Sequence, residues 1–194
     1  IKLVKKIFIF QIMLSLSLSQ PDPYQQFLEF MNTKGGRILE IEFYQEQYGE
    51  RYNSTGTFFY LGEMDYTFDA NDQRISFNKG EIITINKIDK QVIYDKSIPG
   101  EVTIFDILIG EKNAIQTGEP LLEKNGLRIP FTLKEWDMRG AIRTNPSNGK
   151  PREIILNTDE DSEIRIKIIS SKLANEQGAR AINLTEYEII DLRE

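Results

Sequence analysis

The sequence predicts a mainly β fold with short helices (α+β), in which a curved antiparallel sheet forms a half-open barrel capped by those helices over a hydrophobic cavity. Three observations predict it. Residues 56–86 hold four strand-like runs in quick succession, at 57–61, 66–69, 74–77 and 82–86. Similar runs recur along the chain, about ten in all, against two or three short helical segments. A single sheet of that many strands must curl, and if it curls without closing, its concave face needs a cover.

The elements follow in order. Lys2, Lys5 and Lys6 form a basic start, residues 7–18 an apolar stretch, and Ser17-Leu18-Ser19 places small residues ahead of Gln20. That pattern predicts a signal peptide over 1–19, cleaved near Ser19 and Gln20, and an exported domain over 20–194. The apolar stretch is shorter than the roughly 20 residues a membrane span needs. Pro21 and Pro23 precede a helix over 24–32, where Phe27, Leu28 and Met31 recur at helical spacing before Gly35-Gly36. From Arg37 the period becomes two: Ile41, Phe43 and Gln45 alternate with Glu42, Tyr44 and Glu46. The four runs above follow, then 91–94, with separators rich in Gly, Asn and Asp, which tolerate turn conformations.

After Pro99, Val102, Phe105, Ile107, Leu108 and Ile109 crowd a second helix that Gly110 can close. Strands resume at 127–133, 153–157 and 163–169. In the last of these, Ile164, Ile166 and Ile168 alternate with Arg165 and Lys167, so one face is dry and the other wet. Residues 187–192 read as a last strand or an extended closing segment. Asp159, Glu160 and Asp161 read as a solvated hairpin turn.

Composition excludes several functions. The net charge is −6, and −9 once the three leader lysines are gone, which argues against nucleic acid or an anionic membrane surface as the main partner. There is no His and no Cys, so the common general base, the usual serine triad, thiol chemistry, Cys zinc clusters and disulfides are all absent. No phosphate loop or dinucleotide fingerprint appears. Thirty acidic residues will bring some carboxylates together by chance, so spacing alone identifies no catalytic pair. The chain is expected to work as a monomer without metal or cofactor and without making or breaking bonds.

The positive signal is apolar. Phe43, Phe58, Tyr60, Tyr66, Phe68, Ile75, Phe77, Ile83, Ile85, Ile93, Phe105 and Leu108 are the candidate lining of a lipid-binding cavity. The plainer reading of each is an ordinary core residue. Together they offer a greasy pocket in which each buried methylene contributes about 0.8 kcal/mol, enough to hold an acyl chain without a polar contact.

The strand order also carries a family resemblance. A leader and short helix, the Phe43-Tyr44-Gln45 strand, Gly56-Thr57-Phe58-Phe59, Tyr66-Thr67-Phe68, the 75–80 strand and turn, the 82–86 strand, the 102–110 helix and the closing 187–192 segment together resemble the periplasmic outer-membrane lipoprotein carrier, the LolA family. The resemblance implies a periplasmic chaperone that takes lipoprotein acyl chains from an inner-membrane lipoprotein-releasing transporter and passes them to an outer-membrane acceptor lipoprotein. It also implies that Tyr66 is a cavity-rim aromatic, with Phe68 two residues on. Two departures stand out. Gly62 and Glu63 occupy the place of the family's Arg-Pro, whose Arg ties the lid, and Asn78-Lys79-Gly80 replaces Ser-Asp-Gly. The latch is therefore left open, and so are three other readings: a carrier of another lipid, a periplasmic sensor or interaction domain on the same scaffold, and a secreted carboxylate hydrolase.

Overall fold

The computed structural model describes residues 22–62, 65–111, 115–133, 136–159 and 161–193. The predicted signal peptide and its cleavage point lie outside the described residues. Helix α1 (Pro23–Met31) starts where the Asp22 carboxylate accepts the Tyr24 N–H at 3.2 Å, with proline in its first turn. It buries Phe27 and Met31. Its end is fastened to the first strand by Arg37, whose guanidinium lies 3.9 Å over the Phe30 ring and donates to the Phe30 carbonyl at 2.8 Å.

The strands are β1 (Arg37–Gln47), β2 (Glu50–Gly62), β3 (Asp65–Ala70), β4 (Gln73–Asn78), β5 (Glu81–Asn86), β6 (Gln91–Lys96), β7 (Ile115–Thr117), β8 (Leu121–Glu123), β9 (Gly126–Leu133), β10 (Arg139–Thr144), β11 (Pro151–Asp159), β12 (Ser162–Leu173) and β13 (Glu188–Asp191). Helix α2 (Ile104–Ile109) interrupts them between β6 and β7. Among the described residues they form one open sheet in the order β13-β6-β5-β4-β3-β2-β1-β12-β11-β10-β9-β7, with β8 also on β9. Neighbours are antiparallel except β13, which runs parallel to β6. The long pairing of β1 with β12 joins the two meanders.

Turn chemistry sets the register. Lys79 and Gly80 connect β4 to β5 with both φ angles positive, a two-residue turn in which the glycine avoids the steric penalty of that conformation. Asn78 therefore faces Glu81, and Phe77 faces Ile82. The sheet exceeds the sequence expectation by β7, β8 and β10. The first two are three residues long. In β10 the apolar alternation is blurred by Gly140, which lies against the Phe131 ring.

The inner face carries continuous rows of apolar side chains. One runs Phe43, Ile166, Ile154, Ile142 and Ile129 across five strands, and all but Phe43 are fully buried. Another runs Leu39, Phe58, Phe68 and Ile75. Both helices pack on this face, and their apolar residues join the same core cluster.

The outer face is largely polar, laced by pairs such as Glu42–Lys167 and Arg143–Glu153. Residues 174–187 cross it as an extended arm before β13 pairs with β6. Arg74, nearly buried, grips Asp69 at 2.7 Å and donates to the Arg180 carbonyl at 2.7 Å, which pins the arm.

Candidate lipid-binding site

The site is the inner face of β2, β3 and β4 together with α2. Alternation puts every second residue of these strands on one face, and the register aligns them: Phe58 opposite Phe68, Tyr60 opposite Tyr66, Tyr66 opposite Phe77, Phe68 opposite Ile75. The result is an aromatic wall. Tyr66 and Phe77 stack with ring centroids 5.2 Å apart, and Phe58 lies 5.5 Å from Tyr66.

Six residues are too few for a helix to persist alone in water, so α2 exists because its surroundings bury it. All six of its side chains are buried, five of them apolar, and a helix with so little polar surface is stable only in such a setting. Its N-terminus is closed by a capping box: the Thr103 N–H and hydroxyl both donate to the Asp106 carboxylate at 2.7 Å, and the Asp106 N–H donates back to the Thr103 hydroxyl at 3.3 Å. At its C-terminus Gly110 adopts a left-handed conformation and packs on Leu28 of α1.

Phe105 projects from this helix into the middle of the wall. Its ring centroid lies 5.4 Å from Phe58 and Phe68, 5.7 Å from Tyr66 and 6.1 Å from Phe43, stacked within 14° of the Phe58 plane. Leu108, fully buried on the same helix, completes the cover. The space that the sequence assigns to a ligand is thus occupied by the chain's own phenyl ring.

Nine of the candidate residues belong to this assembly: Phe43, Phe58, Tyr60, Tyr66, Phe68, Ile75, Phe77, Phe105 and Leu108 all lie in the core cluster or pack against it. Ile93 shares the inner face but sits half-buried toward the β6 edge, aligned with Thr84. Ile83 and Ile85 are not brought to the site. The register pairs Ile83 with Ser76 and Ile85 with Arg74, on the outer face, and Ile85 is buried there. Tyr66 is not a rim residue either. It is 3% exposed, because Phe105 and the capping box cover it.

The polar groups at the site are Tyr66, Thr103 and Asp106. The Tyr66 phenol lies close enough to the Thr103 and Asp106 side chains to be influenced by both. Burial pushes the Asp106 carboxyl above the usual carboxylate range, opposed by the hydrogen bonds it accepts. Burial, and then the charge of Asp106, push the Tyr66 phenol well above its ordinary value. Glu111 is raised for the same two reasons in the same order. The other wall tyrosine, Tyr60, donates to Asn32 at the end of α1 at 2.7 Å, so α1 is tied to the wall by a tyrosine hydroxyl.

On the opposite side, the Trp136 indole N–H donates to the Gly100 carbonyl in the loop leading to α2, at 3.2 Å. Sequence reasoning missed the capping box, although Thr103-Ile104-Phe105-Asp106 carries its spacing, and missed Trp136, which no periodic pattern marks. Gly62, in the place of the family's latch residue, ends β2, while Glu63 lies outside the described residues. A separate depression of about 880 Å³, lined by Tyr44, Glu46, Asp161, Glu163 and Arg165 among others, is a polar surface at the β11–β12 hairpin. Its lining does not suit an acyl chain.

No family model matches the chain, and no curated protein matches its sequence. Solved structures do resemble it. An uncharacterized conserved protein from Thermus thermophilus aligns with a TM-score of 0.54 at 8% identity, over 87% of this chain and 96% of that one, which is a likeness of fold. A LolA superfamily protein from Nitrosomonas europaea aligns at 0.45 and 9% identity, over 83% and 93%. A domain assigned to outer-membrane lipoprotein sorting, from Vibrio parahaemolyticus, aligns at 0.47 and 7% identity, over 84% and 95%. LolA superfamily proteins and lipoprotein-sorting domains are therefore among the solved structures to which this chain is similar.

Proposed function

We propose that the chain is a periplasmic carrier that holds the acyl chains of lipoproteins against the inner face of its sheet. It takes them from a releasing transporter at the inner membrane and gives them to an acceptor at the outer membrane. The observation that carries this reading is Phe105, a single ring on a six-residue helix, seated in an aromatic wall on the inner face of an open sheet. Displacing that helix exposes an apolar surface fit for a hydrocarbon. The leader pattern of residues 1–19 supports the compartment.

The opposing magnitudes are comparable. An acyl chain of about fourteen methylenes gains roughly 11 kcal/mol on leaving water. Displacing α2 exposes its five buried apolar side chains, which costs roughly 7–15 kcal/mol at about 1.5–3 kcal/mol each. The exchange is close to balanced for a full-length chain and uphill for a short one, which suits a carrier that is closed when empty.

Native mass spectrometry of protein purified from a bacterial periplasm, followed by lipid extraction, tests the reading. Bound lipoprotein or acyl lipid is the expected result. An unliganded mass together with no uptake of an added acyl probe would overturn it and favour an interaction domain on the same scaffold.

A further inference from the structure

The last segment of the chain is held by contacts that a second copy of the chain can supply equally well. Beyond β12, residues 174–187 run extended over the outer face and deliver β13 to β6, the one parallel pairing among the described strands. β13 is four residues long and lies at the end of the strand order. The Glu188 N–H donates to the Lys90 carbonyl and the Leu192 N–H to the Tyr94 carbonyl, both at 2.8 Å. Beside them stand the exposed Lys90–Glu186 ion pair at 2.6 Å and a Gln91 to Glu188 side-chain bond at 3.1 Å. Ile189 and Leu192 stay more than half exposed. An element held this lightly opens before the core does. The edge it leaves is not inert: β6 then presents an unpaired row of backbone donors and acceptors, and the fully buried Val92, aligned with Ile189, loses that neighbour.

The chain enters the arm through a strained turn. Ala174 to Gln177 is closed by the Gln177 N–H on the Ala174 carbonyl at 3.0 Å, with Asn175 and Glu176 both left-handed, at φ 50° and 64°. Turns of this kind favour Gly, Asn or Asp at their centre. Asn175 suits the conformation, while Glu176 carries the steric penalty of its side chain. Straightening the turn removes that penalty but carries the arm away from its own β6. We propose that the arm is exchanged between two copies of the chain, each laying its β13 on the other's β6 in a two-fold dimer. The arm's contacts are remade between the chains, and the strain is released once in each. The monomer expected from the sequence is the closed form of the same contacts. The exchange uses the outer face, so it stands apart from the carrier reading.

The chain has no Cys, so introduced thiols report the exchange. Gln91→Cys and Glu188→Cys place them on aligned residues of β6 and β13. When the two single variants are mixed at millimolar concentration and oxidised, the expected product is a heterodimer joined through positions 91 and 188, read on a non-reducing gel and by peptide mapping. Light scattering of the parent at that concentration is expected to show a dimer. Glu176→Gly removes one strained residue from each chain and is expected to weaken that dimer roughly thirtyfold or more. Lys172→Cys, exposed on β12 and off the arm, mixed with Gln91→Cys measures chance collision. Absence of the 91–188 heterodimer, or equal crosslinking to Lys172→Cys, overturns the proposal. A parent that stays monomeric overturns it without any variant, and a dimer indifferent to Glu176→Gly overturns the part assigned to the turn.

Discussion

Truncating Phe105 to alanine separates a ring that is only packed from a ring that is exchanged. Phe105 contacts four other rings within 6.1 Å and is 6% exposed. A buried Phe→Ala change costs about 3–5 kcal/mol, of which each aromatic pair supplies roughly 0.5–1.5 kcal/mol beyond area. Phe105→Ala is therefore expected to lower the unfolding free energy by about 4 kcal/mol, read from urea titration followed by far-ultraviolet circular dichroism. If the ring also holds the lid shut, part of that loss falls on the closed state and not on the state that binds. A third of it, about 1.4 kcal/mol, raises acyl affinity about tenfold. The assay is titration with a fluorescent fatty acid, with near-ultraviolet dichroism to confirm that side-chain packing persists. A variant that is less stable, still packed, and no better or worse at binding the fatty acid would refute the plug and return Phe105 to the ordinary core.

Three further outcomes follow from the same geometry. Tyr66→Glu places a carboxylate where burial disfavours charge, so urea unfolding is expected to show a loss above about 3 kcal/mol; parent-like stability would return Tyr66 to a rim. Asp106 has its carboxyl raised above the ordinary 3.8 by burial, so the folded chain holds that proton more tightly. Its contribution favours folding at low pH and is lost as pH rises through the raised value. The stability of the parent relative to Asp106→Asn should fall across that window, and a difference that is flat with pH would contradict the burial. Trp136→Phe removes the bond to the Gly100 carbonyl at a half-exposed residue. Stability should change by less than about 1 kcal/mol while stopped-flow uptake of the fatty acid speeds several-fold, and an unchanged uptake rate would rule out that bond as a restraint on the lid.

Much of this was legible in the sequence because local rules and global fold agree there. The strands from 57 to 77 alternate cleanly, their separators carry turn residues, and Gly110 closes α2 as its position suggests. The membership of β5 was not legible. Ile82-Ile83-Thr84-Ile85 is apolar on both faces, with Ile85 buried on the outer face beside Arg74, the residue that pins the 174–187 arm, which erases the alternation that would separate them. The two-residue turn at 79–80 decides the matter, since a slip of one residue exchanges the faces; it sends Ile82 inward and Ile83 and Ile85 outward. Strand β10 was hidden by Gly140, whose missing side chain is filled by Phe131 from the neighbouring strand. The burial of Tyr66 depends on where Thr103 and Asp106 come to rest, a contact across nearly forty residues of chain that no local pattern encodes.

The most direct test of the central claim is photo-crosslinking of the full chain with a fatty acid that carries a diazirine near its terminal methyl, followed by peptide mapping of the adducts. Adducts are expected on the inner face of β2, β3 and β4, at Phe58, Phe68 or Phe77, and on Phe105 of α2. Adducts confined to the outer face, around Ile83, Ile85 and the 174–187 arm, would contradict it.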